Sequence, residues 1–121
     1  MSHGYMAESP MADNGMPETG AYLNGGVGID GRHALRAERR HYNLRLAFAQ
    51  ARTGEYLAGV TVTIHRLGSS EPTVRYEDSG PMFYIRLAPG RYRVTAEYRG
   101  TKQSHSIAVG AEGMDQVLYW R

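Results

Sequence analysis

Four residues near the start of the chain carry side chains suited to a soft metal. His3, Met6, Met11 and Met16 supply one imidazole and three thioethers, and thioether sulfur selects Cu(I) over harder ions. Methionines at positions 1, 6, 11 and 16 recur every five residues, a spacing that fits neither helix nor strand. The plainer reading is therefore ordinary tail composition, with copper binding as the alternative. The other histidines, His33, His41, His65 and His105, show no ligand spacing and read as solvated or hydrogen-bonded groups. No cofactor is implied.

Covalent chemistry finds little to work with. The chain has no cysteine, which removes disulfides, thiolate-held zinc and a thiol nucleophile. It has no Gly-x-Ser-x-Gly elbow and no phosphate loop, and no histidine is followed by glutamate at zinc-peptidase spacing. No catalytic residue is assigned, and the chain is expected not to be an enzyme.

The remaining candidates are binding surfaces. Arg32, Arg36, Arg39 and Arg40 crowd one segment, while Arg91, Arg93 and Arg99 alternate along another. A phosphate footprint needs such clustering. Tyr92 and Tyr98 alternate away from the arginines and Glu97 interrupts the row, so a solvated sheet face is the better reading and no nucleic-acid partner is expected. Near the C-terminus, Val117 and Tyr119 point one way and Leu118 and Trp120 the other. An exposed cluster of Tyr84, Tyr119 and Trp120 would form a contact patch for a protein or a glycan. The plainer reading is that a helix or the tail covers that face.

These groups sit on a chain of 121 residues with net charge +2, the size of one domain. The charge is uneven. Residues 1–31 hold four acidic side chains and no lysine or arginine, for −4; residues 32–121 hold 14 basic against 8 acidic, for +6. Residues 1–28 are rich in glycine, contain Pro10 and Pro17, and have few large aliphatic side chains. The composition predicts a disordered acidic tail whose removal leaves the melt unchanged. Residues 29–41 are expected to form a short basic helix, with Asp30 as N-cap and cations in its last turns.

From Tyr42 the period becomes two. Tyr42, Leu44, Leu46 and Phe48 alternate with polar or small residues; Val60, Val62 and Ile64 do the same, as do Tyr92, Val94, Ala96 and Tyr98. Residues 82–87 are almost continuously apolar. Seven short strands separated by Gly and Pro turns predict an antiparallel β-sandwich over residues 42–121. Pro89-Gly90 suits a type II turn and so a corner between sheets rather than a hairpin. Tyr92 stands where the hydroxyl of a corner tyrosine would anchor it. No run of 18 apolar residues and no signal-peptide h-region occur, so the chain is not expected to span a membrane.

Three stretches together resemble one family. Gly59-Val60-Thr61-Val62-Thr63-Ile64, Asp78-Ser79-Gly80, and above all Leu87-Ala88-Pro89-Gly90-Arg91-Tyr92-Arg93-Val94 are similar to carboxypeptidase regulatory-like domains, over about residues 42–121. The resemblance implies a transthyretin-like Greek-key sandwich of about seven strands. The opening segment is similar to that of proteobacterial envelope proteins carrying one such domain. This implies export to the periplasm, or beyond it, and an accessory module without catalysis. Transthyretin-like hydrolases end in Tyr-Arg-Gly-Ser; here Tyr98-Arg99-Gly100 lies mid-chain before Thr101, and reads as a strand end and turn. A non-enzymatic structural or interaction module is the function expected, its partner an unknown protein or glycan.

Overall fold

The structure, a computed structural model, describes residues 19–71 and 73–121, together with the backbone of residues 5–7. The expected metal ligands His3, Met11 and Met16 and the side chain of Met6 lie outside the described residues.

Two sheets pack face to face. Strands β1 (Tyr5–Ala7), β2 (Tyr22–Gly25), β6 (Met82–Ile85), β3 (Leu44–Gln50) and β9 (Met114–Trp120) form the first, in that order across it. The second runs β5 (Val74–Ser79), β4 (Val60–Arg66), β7 (Gly90–Tyr98), β8 (Thr101–Val109). One helix, α1 (Gly28–Arg36), precedes β3.

Period-two burial builds the layers. Leu44, Leu46 and Phe48 of β3, Phe83 and Ile85 of β6, and Leu118 and Trp120 of β9 face Val60, Val62 and Ile64 of β4, Tyr92, Val94 and Ala96 of β7, and Ile107 and Val109 of β8. All are buried. Each fully buried aliphatic side chain contributes about 1.5–3 kcal/mol, so this double row is the main favourable term in the fold.

The corner between β6 and β7 passes from one sheet to the other, and the Tyr92 hydroxyl donates to Ala88 O at 2.7 Å. The expected type II turn is absent. Gly90 does not take positive φ; it is already strand, paired with Val109. Its missing side chain serves another end, since a Cβ there would stand 3.0 Å from Arg66 Nη2, which donates to Pro89 O. Between β7 and β8 the chain reverses in two residues, Arg99 and Gly100, with φ of 49° and 81°. This left-handed pair matches the strand twist of a tight hairpin.

The fold departs from the expected one at four further points. Seven strands were expected, and all seven occur in residues 42–121, but the count is higher because Tyr22–Gly25 is an eighth strand and Tyr5–Ala7 pairs beside it. Tyr22–Gly25 lies inside the segment expected to be a disordered tail. It pairs with β6, and Leu23 is only 2% exposed. The sheets are not wholly antiparallel: β9 runs parallel to β3, with all the intervening strands serving as its crossover. Finally, the helix expected over 29–41 stops at Arg36. Glu38 N bonds to Leu35 O, three residues back, and Arg39–His41 forms a separate 3-10 turn.

The early segment is ordered because β6 has two apolar faces. Phe83 and Ile85 enter the main core, while Met82 and Tyr84 face outward and need a cover. Ala21, Leu23, Leu35 and Tyr42 supply it, making a second small core outside the first sheet. At the edge of this core Gly80 packs so close to Gly25 that a Cβ would meet its carbonyl oxygen at 2.6 Å.

Deleting residues 1–28 should therefore lower the melting temperature by several degrees, and Leu23→Ala should cost about 2–5 kcal/mol by urea denaturation; an unchanged melt would contradict the second core. Val94→Asp should abolish the cooperative melt by placing a lone charge in the main core. Tyr92→Phe should cost only about 1 kcal/mol, the worth of one hydrogen bond.

Candidate functional site

The outward face of the first sheet is covered only in part. α1 packs over β1 and β2, with Leu35 reaching Met82 and Tyr84 of the neighbouring β6, and this cover does not extend to β9, where Val117 and Tyr119 are exposed. A groove follows that boundary.

Its first wall is basic. Arg32 and Arg36 are one helical turn apart and share a face of α1. Both engage Tyr56, which bridges to Ala49 of β3. The Arg32 guanidinium lies 4.6 Å from the Tyr56 ring centre, and Arg36 Nη2 donates to Tyr56 Oη at 3.1 Å. Arg39 follows the helix break and pairs with Asp115 of β9.

Arg45 forms the base of the groove. It is 8% exposed. Its Nε donates to Asp115 Oδ1 at 2.5 Å, and its Nη1 donates to Arg39 O at 3.0 Å and to Tyr42 O at 2.5 Å. Burying a guanidinium is costly unless it is paired and hydrogen-bonded, and here one carboxylate and two carbonyls meet three of its five N–H groups. Gly113 makes room, since a Cβ there would stand 2.8 Å from Arg45 Nη1.

Asn43, two residues earlier and just before β3, secures the same end. Its amide donates to Leu87 O at 2.7 Å and to Gly110 O at 3.2 Å, while its Oδ1 accepts from Leu87 N at 2.7 Å. One side chain thus ties the β6–β7 corner and the β8–β9 turn to the start of β3.

Tyr84 stands opposite Arg45 across the β6–β3 pair. Its hydroxyl makes no hydrogen bond among the described residues, and no buried polar side-chain atom there lacks a partner. The hydroxyl therefore opens into the groove it lines. Burial pushes it above the ordinary phenol value and the Asp115 carboxylate adds to the rise, while Arg36, Arg39 and Arg45 pull it back. It stays a neutral O–H donor at physiological pH.

The hollow has a volume of about 190 Å³ with Ala47, Met82 and Val117 as its apolar lining. That is below the ~300–1,000 Å³ of sites that enclose a whole small ligand, so it accommodates a group rather than a molecule. Arg36, Arg39 and Arg45 face the single carboxylate of Asp115, which leaves the groove positive. Arg39 and Asp115 are themselves half-exposed, and such a pair contributes about 0–1 kcal/mol, so exchange of Arg39 onto another anion costs little.

The aromatic patch expected from Tyr84, Tyr119 and Trp120 does not form. Tyr84 is 5% exposed, Trp120 4%, and only Tyr119, at 54%, is open. The Trp120 ring packs against Phe48 and Tyr98, and its Nε1 donates to Thr101 O. The parity rule divided the C-terminal strand correctly, with Leu118 and Trp120 inward and Val117 and Tyr119 outward. Tyr84 is buried because the second core covers it.

The histidines remain apart. His65 meets Thr73, His105 meets Gln103, and His41 meets Glu38. Among the described residues no cluster of three or more His, Cys, Asp or Glu is placed to hold a metal. Sequence reasoning noted Arg36 and Arg39 but missed Arg45 and Asp115. No local signal joins two residues seventy positions apart; only the parallel register of β3 and β9 does so. Comparison with known proteins adds no relative, since no family model and no curated protein matches the chain.

Arg45→Met should cost about 1–3 kcal/mol by urea denaturation, the range for leaving hydrogen-bond partners unmet, since it strands the Arg39 and Tyr42 carbonyls while Asp115 stays half-exposed; unchanged stability would contradict its role. Tyr76, Tyr84 and Tyr92 are all raised, each chiefly by burial. The folded state therefore holds these protons longer than the unfolded chain. Their contribution to stability is complete below about pH 10 and falls as pH rises above it. Ultraviolet titration should show a group of tyrosines ionising later than in urea-unfolded protein; superimposable curves would contradict their burial.

Proposed function

We propose that the protein is a non-enzymatic interaction module of the bacterial cell envelope, built as a transthyretin-like Greek-key sandwich, that binds anionic groups of a partner protein. The observation that carries this reading is the groove itself: three guanidiniums and a neutral phenol hydroxyl around an apolar hollow, with one carboxylate against them. Guanidinium forks match carboxylates in shape as well as charge. The hollow admits a side-chain group, and the open β9 side lets the rest of a large partner remain outside.

The family and the envelope location are supported by the resemblance of residues 59–64 and 87–94 to carboxypeptidase regulatory-like domains. The Tyr92 corner and the two-layer architecture agree with that resemblance. Such an exported accessory domain would reach its partner by surface recognition, and the groove supplies a surface with a defined preference.

Calorimetric titration with oligoglutamate tests the reading. Wild-type protein should bind it, with affinity falling as salt is raised, and the Arg36→Ala, Arg39→Ala double variant should lose at least about tenfold in affinity while melting normally. Both side chains are exposed, so the fold should tolerate their loss. Equal binding by both proteins, or none by the wild type, would contradict the proposal.

A further inference from the structure

We infer that the free edge of β9 receives an extended acidic segment of the partner as an added strand, which delivers a carboxylate to the groove. This rests on the anion-binding reading above and specifies how the partner docks.

β9 is the last strand of the first sheet, and among the described residues no strand pairs with its other side. The direction of its backbone groups follows from two bonds. Met114 N donates to Asn43 O, and Trp120 O accepts from Ala51 N, so the even-numbered residues of β9 turn toward β3. Asp115, Val117 and Tyr119 turn their N–H and C=O groups outward. A row of unpaired backbone groups is a template for another strand.

Natural edges are usually blunted by lysine, proline or a bulge. The outward side chains of β9 include Val117 and Tyr119, 40% and 54% exposed. One edge group has a substitute partner: Gln103 Nε2, from β8, donates to Tyr119 O at 2.8 Å. A flexible side chain gives way to a backbone donor at modest cost.

Charge selects the occupant. An added strand lies one strand spacing, about 4.8 Å, beyond β9. From there a glutamate side chain reaches over Asp115 to Arg39, whose guanidinium is half-exposed. Apolar residues two and four positions after the acid, on the same face of the added strand, would rest on Val117 and Tyr119. The segment that fits carries its acid and its apolar residues at every second position.

The test uses full-length, isotope-labelled protein and the blocked peptide Thr-Glu-Thr-Val-Thr-Val-Thr, whose glutamate and valines share one face. In free protein the amides of Val117 and Tyr119 should exchange quickly and those of Gln116 and Leu118 slowly. The peptide should slow exchange at Val117 and Tyr119. A version N-methylated on alternate residues, and one with glutamine for the glutamate, should each bind at least about tenfold more weakly. Tyr119→Pro, which removes an outward N–H at a residue that does not line the groove, should weaken the peptide and leave oligoglutamate binding to the groove intact.

Equal binding of the N-methylated peptide, or protection elsewhere, would overturn strand addition while leaving the anion-binding reading standing. Equal binding of the glutamine peptide would overturn the acidic preference. An oligothymidylate that binds the groove in place of the peptide would overturn a protein partner. Failure of both peptide and oligoglutamate would remove this inference and the function it rests on together.

Discussion

A single buried guanidinium sets the geometry of the functional face. Arg45 lies in the middle of the first sheet, where a charge is costly to bury, and its position is tolerable because Asp115, Arg39 O and Tyr42 O surround it. Those three acceptors come from β9 and from the segment that enters β3. Satisfying one side chain therefore fixes the register of the parallel β3–β9 pair, the path of residues 39–42, and the need for glycine at 113. Asn43 does the equivalent task one pleat away for the two inter-sheet turns.

The groove is a consequence of that arrangement. Asp115 is held by Arg45 and by Arg39, which follows the end of α1, while α1 packs over β1 and β2 at the other side of the sheet and leaves β9 open. Arg36 is kept upright by Tyr56, and Tyr84 is buried far enough to stay protonated. A positive, partly apolar hollow thus sits beside the strand whose outward backbone groups are unpaired. The preference for acid and the free edge meet on one strand, β9, which carries Asp115 and ends the sheet.

The main sandwich was legible in the sequence wherever burial alternates strictly. Val60-Thr61-Val62-Thr63-Ile64 and Tyr92-Arg93-Val94-Thr95-Ala96 have one dry face and one wet face, and that pattern admits a single reading. The corner tyrosine was legible too, because Pro89-Gly90 marks the place where the chain leaves a sheet. Residues 20–28 were misread for a physical reason. Leu23 is an isolated hydrophobe in glycine-rich surroundings, and what orders it is the outward face of Met82 and Tyr84, about sixty residues away. The clue was the unbroken apolar run of β6, which signals a strand covered on both sides. Nothing local announced the Arg45–Asp115 pair, since a polar residue in an alternating strand reads as solvent-facing. Gly90 was misjudged because a glycine needed for close approach looks the same as one needed for positive φ.

The most direct measurement is the Arg45 Nε–H signal in a nitrogen-edited proton spectrum of the native protein. A side chain held by a carboxylate and two carbonyls should give a resolved, slowly exchanging resonance that is lost on Asp115→Asn, while Arg91 and Arg93 exchange rapidly. If Arg45 exchanges as fast as those two surface arginines, the anchor is absent, and the groove and edge built on it are not as described.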